Sequence, residues 1–183
     1  MVGLKNIDKS WTLFLDRDGV INDEKQLDYV NNWEEFTFLP GVKTALKKFT
    51  KKFGNLFIIT NQRGVAKGYT RPEELERIHK NLLEEVITAG GLITKIYVCS
   101  DMDDSSPNRK PNPGMGLQAK KEFPGIDFSK SVMIGNTAGD MEFGRNLGIP
   151  INIFISSGKP NLGAKHPMVD FGFPDLLSVA NAL

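Results

Sequence analysis

Short apolar runs recur along the chain, and each gives way to a segment with helical spacing. Thr12–Leu15, Leu56–Thr60, Ile96–Cys99, Val132–Ile134 and Ile151–Ile155 are rich in β-branched and large apolar residues. Runs this short and this apolar read as strands buried on both faces. Between them, Val42, Ala45, Leu46 and Phe49 share one helical face, and Leu75, Ile78, Leu82 and Val86 share another. The second of these helices opens with Thr70-Arg71-Pro72-Glu73, a capping-box pattern with proline in the first turn. A third helix is expected from about Gly114 to Phe123, and a fourth from about Ala138 to Leu147, closed by Gly148. Strands alternating with helices predict βαβ units. The fold class is therefore α/β: a three-layer, Rossmann-like arrangement around a central parallel sheet. In such sheets ligands bind at the carboxyl ends of the strands, so the chemistry should follow the apolar runs.

The first run ends in Asp16-Arg17-Asp18-Gly19-Val20. Two carboxylates two residues apart on extended chain point the same way, and like charges that close call for a cation between them or a proton on one. The bland alternative is a polar turn, since Gly19 permits a sharp bend. The second run ends in Thr60-Asn61-Gln62, whose hydroxyl and amides can donate to a phosphoryl oxygen or simply start a turn. After the third run and a polar loop comes Arg109-Lys110-Pro111, which supplies cations for a phosphate or a solvated basic pair. The fourth run leads into Gly135-Asn136-Thr137-Ala138-Gly139-Asp140. Asn136 and Asp140 fall on one face of a helix start and carry hard oxygens suited to magnesium; they equally suit a helix cap.

Composition narrows the classes. The chain has 183 residues, 40% hydrophobic and 25% charged, as expected of one globular domain spanning 1–183. Lys plus Arg number 23 against 22 Asp plus Glu, which leaves no electrostatic footprint for nucleic acid or a membrane surface. No apolar run approaches the ~20 residues of a membrane span, and the charged N-terminus is unlike a secretory signal. The single cysteine, Cys99, excludes an internal disulfide and fits a reducing cytoplasm, the expected location.

Four modest signals in order, each after a successive apolar run, resemble the haloacid dehalogenase superfamily. Within it the chain is most similar to the histidinol-phosphate and D-glycero-heptose bisphosphate phosphatases. The segments that carry this are Asp16 to Asn22, Thr60-Asn61-Gln62 with Gly64-Val65-Ala66, Arg109 to Met115, the Gly135 segment and the stretch 157–160. The resemblance implies a magnesium-dependent phosphatase acting on a small phosphorylated metabolite. Asp16 would attack phosphorus and form an aspartyl-phosphate, and Asp18 would protonate the leaving oxygen and then activate water. Asp16 would be held ionised by magnesium, with Asp18 free to carry a proton. Asp16, Asp18, Asn136 and Asp140 would hold Mg2+. Thr60 and Lys110 would hold phosphoryl oxygens, and Asn61, Gln62 and Arg109 would meet the substrate.

The chain departs from this family in two places. The usual aspartate at 136 is Asn136, which removes one charge from the metal site and opens the alternative of an impaired domain kept as a binding module. Many relatives carry a zinc loop after the third strand, but only Cys99 stands there, followed by Ser100 to Asn108 without Cys or His, so no zinc is expected. The stretch from Val20 to Leu39 is too short for a cap domain, so the site should be capless, bordered by Tyr29 and Trp33, which either cover it or pack on the core. His79 lies on the apolar side of its helix and reads as a packing residue, and His166 reads as a loop residue. Lys47, Lys48, Lys51 and Lys52 read as a solvated helix end. The leading substrate is a sugar phosphate such as D-glycero-D-manno-heptose 1,7-bisphosphate, for which Arg109 would suit a second phosphate. Histidinol phosphate is the second reading, for which the acidic loop Asp101–Asp104 would suit an amine. A DNA-end phosphatase fits poorly without a basic groove. A monomer or weak homo-oligomer is expected.

Overall fold

The computed structural model describes residues 3–25, 29–157 and 167–183. Six strands form one sheet: β1 (Thr12–Leu15), β2 (Asn55–Asn61), β3 (Lys95–Cys99), β4 (Ser131–Gly135), β5 (Ile151–Ile155) and β6 (Phe171–Phe173). Their order is β3-β2-β1-β4-β5-β6, and every neighbouring pair is parallel. The helices are α1 (Val42–Lys52), α2 (Arg63–Ala66), α3 (Pro72–Thr88), α4 (Gly114–Glu122), α5 (Ala138–Asn146) and α6 (Leu176–Ala182).

Period-2 alternation divides the strand side chains between two apolar layers. Leu13, Leu15, Ile58, Val132, Ile134 and Ile153 face a layer built by α1, α3 and α6. Phe14, Phe57, Ile59, Met133 and Tyr97 face a layer built by α4 and α5. Both faces are covered, which explains why the strands read as continuous apolar runs rather than alternating ones. Phe14 stacks on Phe57 with ring centroids 5.6 Å apart, so the central strands lock through an aromatic pair.

The chain runs outward from β1 through β2 to β3, then returns to the far side of β1 for β4. This reversal makes the carboxyl end of β1 a topological switch point, where flanking loops diverge and open a crevice.

The five expected strands and four expected helices are present. The short elements α2, β6 and α6 and, among the described residues, three single-turn 3-10 helices are not marked by the sequence pattern. The start of α3 also differs. Its N-cap is Arg71, whose side chain makes no capping bond. Thr70 instead donates to Asn31 Oδ1 at 2.7 Å, tying the helix start to the segment after β1. The expected border residues divide. Trp33 packs on Phe36 at 5.0 Å and against the core, whereas Tyr29 lines the crevice and packs on Tyr69 at 5.8 Å. His166 and residues 158–160 lie outside the described residues.

Candidate active site

Four loops leave the sheet around β1. As the chain exits β1, Asp16 N–H still donates to Ile134 O on β4 at 2.9 Å, which keeps Asp16 at the sheet edge. Gly19 then adopts φ +77°, and a Cβ there would lie 2.1 Å from the Asn136 side-chain nitrogen. Glycine is thus required both for the turn and for the close approach of the two loops. At the end of β2, Asn61 and Lys110 exchange two bonds: Asn61 Nδ2 donates to Lys110 O and Lys110 N–H donates to Asn61 Oδ1, both at 3.1 Å. This pair fixes the backbone that carries the Lys110 ammonium. Asp140 sits in the first turn of α5, where it and Thr137 form a reciprocal capping box. Asp140 Oδ2 accepts from the N–H of Asn136 and of Thr137 and from the Thr137 hydroxyl, leaving Oδ1 to face the site.

Lys110 Nζ lies 2.7 Å from Asp16 Oδ1 and 2.5 Å from Asp140 Oδ1, all three side chains being buried. Burial opposes the ammonium charge, but Asp140 and Asp16 outweigh it and raise the proton affinity of Lys110. Burial and the Asp140 charge push Asp16 up to about 7, with Lys110 pulling the other way. Asp18 behaves oppositely. Burial acts against its charge, but the Arg17 guanidinium and hydrogen bonds from Asn22, Arg17 and Gln62 hold the carboxyl below the usual range. On protein groups alone, then, Asp16 holds a proton more strongly than Asp18, whereas the expected ionised Asp16 is the one with magnesium bound. Asp16 resists ionisation because it shares a dry site with Asp140, and Asp18 is ionised because donors surround it.

Those donors are well placed. Arg17 Nη2 reaches Asp18 at 2.9 Å and 3.1 Å, Asn22 Nδ2 reaches it at 2.9 Å, and Gln62 Nε2 reaches it at 2.7 Å. Gln62 Nε2 also donates to Thr60 Oγ1 at 2.8 Å. Arg17 is fully buried, and its remaining Nη1 lies 3.0 Å from His79 Nε2 on α3. His79 therefore does more than pack.

Around these groups is a cleft of about 260 Å³, the size of a small metabolite, lined by Asp16, Asp18, Glu24, Tyr29, Lys110 and Asp140 among others. The donor set fits a hard divalent cation. Asp16 and Asp140 are buried like charges held together by Lys110, and the buried Asn136 Oδ1 has no hydrogen-bond partner among the described residues. The Asn136 amide is oriented by its nitrogen, which donates to Glu24 Oε2 at 3.3 Å.

A family model described as polynucleotide kinase 3 phosphatase matches residues 12–176. The D-glycero-β-D-manno-heptose-1,7-bisphosphate 7-phosphatase of Pseudomonas aeruginosa is 35% identical over 173 residues, covering 93% of this chain and 96% of that one. The α-anomer counterpart from Campylobacter jejuni is 38% identical over 151 residues, covering 82% and 86%. The chain belongs to the heptose bisphosphate phosphatases of the haloacid dehalogenase superfamily. A solved member, the D,D-heptose 1,7-bisphosphate phosphatase of B. bronchiseptica complexed with magnesium and phosphate, superposes with a TM-score of 0.83 at 26% identity, covering 93% of this chain and 96% of that one.

In this heptose bisphosphate phosphatase homologue, Asp16, Asp18, Asn61, Gln62, Lys110 and Asp140 all line the cleft. Thr60 and Asn136 lie just behind it, Thr60 fully buried beneath Gln62 and Asn136 against Glu24. Asn61 and Gln62, expected to meet substrate, are engaged with Lys110 and Asp18. Arg109 lies outside the walls of the cleft, its Nε donating to Asp104 at 2.9 Å. Arg17, His79 and Glu24 were not singled out as site residues from the sequence. For Arg17 a signal existed, a cation between the two carboxylates of the first motif.

Proposed function

We propose that this chain acts as a single-domain phosphatase on a small sugar phosphate, with D-glycero-manno-heptose 1,7-bisphosphate as the leading substrate and Asp16 as nucleophile. The observation that carries this is the buried Lys110 ammonium held between Asp16 and Asp140 on the floor of a metabolite-sized cleft, with Asp18 beside it. The relatives' activity supports the substrate, both anomers of the heptose being represented among them.

An Asp16 carboxylate oxygen attacks phosphorus in line, and the bond to the sugar oxygen breaks. That oxygen takes a proton from Asp18, which acquires it from solvent as the substrate's negative charge enters beside it and raises its affinity, while Asp16 attacks as the carboxylate, its own proton released to solvent. Water then attacks the phosphoenzyme, gives a proton to Asp18, and the bond to Asp16 breaks to free phosphate. Lys110 compensates charge on the transferring group, which is most of the catalysis for a loose, highly charged transition state. Asp16, the Asp18 backbone carbonyl, Asn136 and Asp140 are the residues that would hold Mg2+, which when bound neutralises phosphoryl charge.

The histidinol-phosphate reading loses its main feature, because the acidic loop is engaged internally. Asp101 accepts from Ser106, Asp103 from Ser105 N–H, and Asp104 from Arg63 and Arg109. A polynucleotide end would need a basic groove, but this cleft sets Asp16, Asp18, Glu24 and Asp140 against Arg17, Lys25 and Lys110 and is not basic. Among the described residues no helix is long and apolar enough to cross a membrane, in keeping with the cytoplasmic location we propose.

The test is phosphate release from a panel of phosphorylated metabolites with saturating magnesium. The heptose bisphosphate should show the highest kcat/KM, with histidinol phosphate at least about tenfold lower, a gap of ~1.4 kcal/mol in transition-state binding. Equal or better turnover of histidinol phosphate overturns the substrate reading, and silence across the panel favours the binding module.

A further inference from the structure

We infer that His79 is a positioning residue: it accepts a hydrogen bond from Arg17 and thereby fixes the guanidinium that holds the Asp18 carboxylate at the cleft wall. The inference rests on Asp18 being the proton-transferring group.

Arg17 is among the largest fully buried side chains of the molecule, with none of its surface exposed. A guanidinium has only N–H donors, arranged in a rigid plane. On one edge, Nε and Nη2 donate to Asp18 Oδ1 at 3.3 Å and 2.9 Å. The remaining nitrogen, Nη1, lies 3.0 Å from His79 Nε2. Since arginine cannot accept, His79 Nε2 must be the acceptor, which places the ring proton on Nδ1. Burial and the Arg17 charge agree with this, lowering the His79 pKa to about 3.

The plane is thus held from both ends. Asp18 alone would let the guanidinium swing about its Nη2 contacts, and His79 fixes the swing. His79 in turn stands on α3 beside Ile78, Leu82 and Val86, which are buried against the core. A rigid helix therefore orients the site carboxylate through one buried arginine. Asp18 retains Asn22 and Gln62 as donors, so loss of His79 would not release the carboxylate; it would loosen its plane. Misplacement on the scale of an ångström is enough to slow a positioned proton transfer without weakening binding.

The experiment compares wild type, His79→Leu and His79→Gln with heptose 1,7-bisphosphate at saturating magnesium, together with thermal melting and the NMR signals of the Arg17 side-chain N–H groups. Leucine fills the space but accepts nothing, whereas the glutamine amide oxygen can reach Nη1. The leucine variant should lose kcat on the order of 10- to 100-fold while KM changes by less than about threefold. Glutamine should recover most of kcat, and the Arg17 signals should broaden or average in the leucine variant only. A leucine variant with wild-type kcat, a loss confined to KM, or a glutamine variant as slow as leucine overturns the inference. Unchanged Arg17 signals in the leucine variant do the same without any reference to turnover. Should leucine prevent folding, His79→Asn takes its place; its shorter side chain draws the acceptor away from Arg17, so kcat must fall there and persist with glutamine. Absence of wild-type turnover overturns the phosphatase reading, whereas a variant-to-wild-type ratio near one overturns this inference and leaves that reading intact.

Discussion

Asp16 carries two separable properties, one chemical and one thermodynamic. As the proposed nucleophile it cannot be replaced by an amide, so Asp16→Asn should lose turnover by about 10⁴-fold or more while remaining folded, as rate and circular dichroism would show. As a buried acid it also couples stability to pH. Its folded value is raised from 3.8 to about 7, so the stability it contributes is complete below its unfolded value and is lost as pH rises through about 7. In EDTA the melting temperature of Asp16→Asn relative to wild type should therefore climb from pH 5 to pH 8. A constant difference would mean that Asp16 does not titrate there. Asn136 makes a second test at this scale. Its amide donates to the Glu24 carboxylate at 3.3 Å, so Asn136→Asp would set two carboxylates against each other. The variant should melt lower in EDTA, by ~1 kcal/mol or more of lost stability, and should need less magnesium for half-maximal rate. Coincident magnesium titrations would remove Asn136 from the metal site.

Helix α5 shows how an element serves both fold and site. Its first turn is capped by Thr137, and the same carboxylate that completes the capping box presents its other oxygen to Lys110. Gly135 is required just before it, because a Cβ there would lie 2.2 Å from the Asp140 Cβ. Farther along, a Cβ at Gly144 would lie 2.1 Å from Asn152 Oδ1, so glycine is what lets α5 press against β5. Thr137→Ala removes the cap and the hydroxyl bond to Asp140 Oδ2, at 2.7 Å. It should cost about 1 kcal/mol of stability, or ~2–4 °C in Tm. It should also raise the magnesium requirement, because Asp140 is then less well held. A melt that falls while the magnesium titration stays fixed would confine Thr137 to the fold.

At the scale of the molecule, the sheet order sets β1 centrally and so places Asp16 and Asp18 between the loops that follow β2 and β4. Beside the edge strand β3, the loop after Cys99 closes on itself through side chains. Ser106 donates to Asp101, and the Cys99 sulfur lies 3.6 Å from Asp101 Oδ2. Burial raises the Cys99 thiol above its usual pKa, and no Cys or His follows between Ser100 and Asn108 to complete a zinc site. Elemental analysis of purified protein should therefore find no stoichiometric zinc, and EDTA should not unfold it. One zinc per chain, lost in Cys99→Ser, would contradict this.

The sequence by itself determined five of the six strands, the four longer helices and the order of the motifs. Each of those signals is local: an apolar run, a helical face or a polar cluster just after a strand. It also pointed to Asp16, Asp18, Lys110 and Asp140 as neighbours, because a parallel sheet brings its strand ends together whatever the loops do. Only the tertiary structure decided what those residues touch. Lys110 meets Asp16 across 94 positions of sequence and Arg17 meets His79 across 62, separations at which no periodicity speaks. Tertiary contact likewise turned Thr70 from a helix cap into a tether for Asn31 and drew Arg109 toward Asp104. It also set the proton affinities of Asp16 and Asp18 on protein groups alone, raising the first and lowering the second. A carboxyl's pKa follows from the charges and the dryness around it, and those belong to the packed molecule rather than to any segment of the chain.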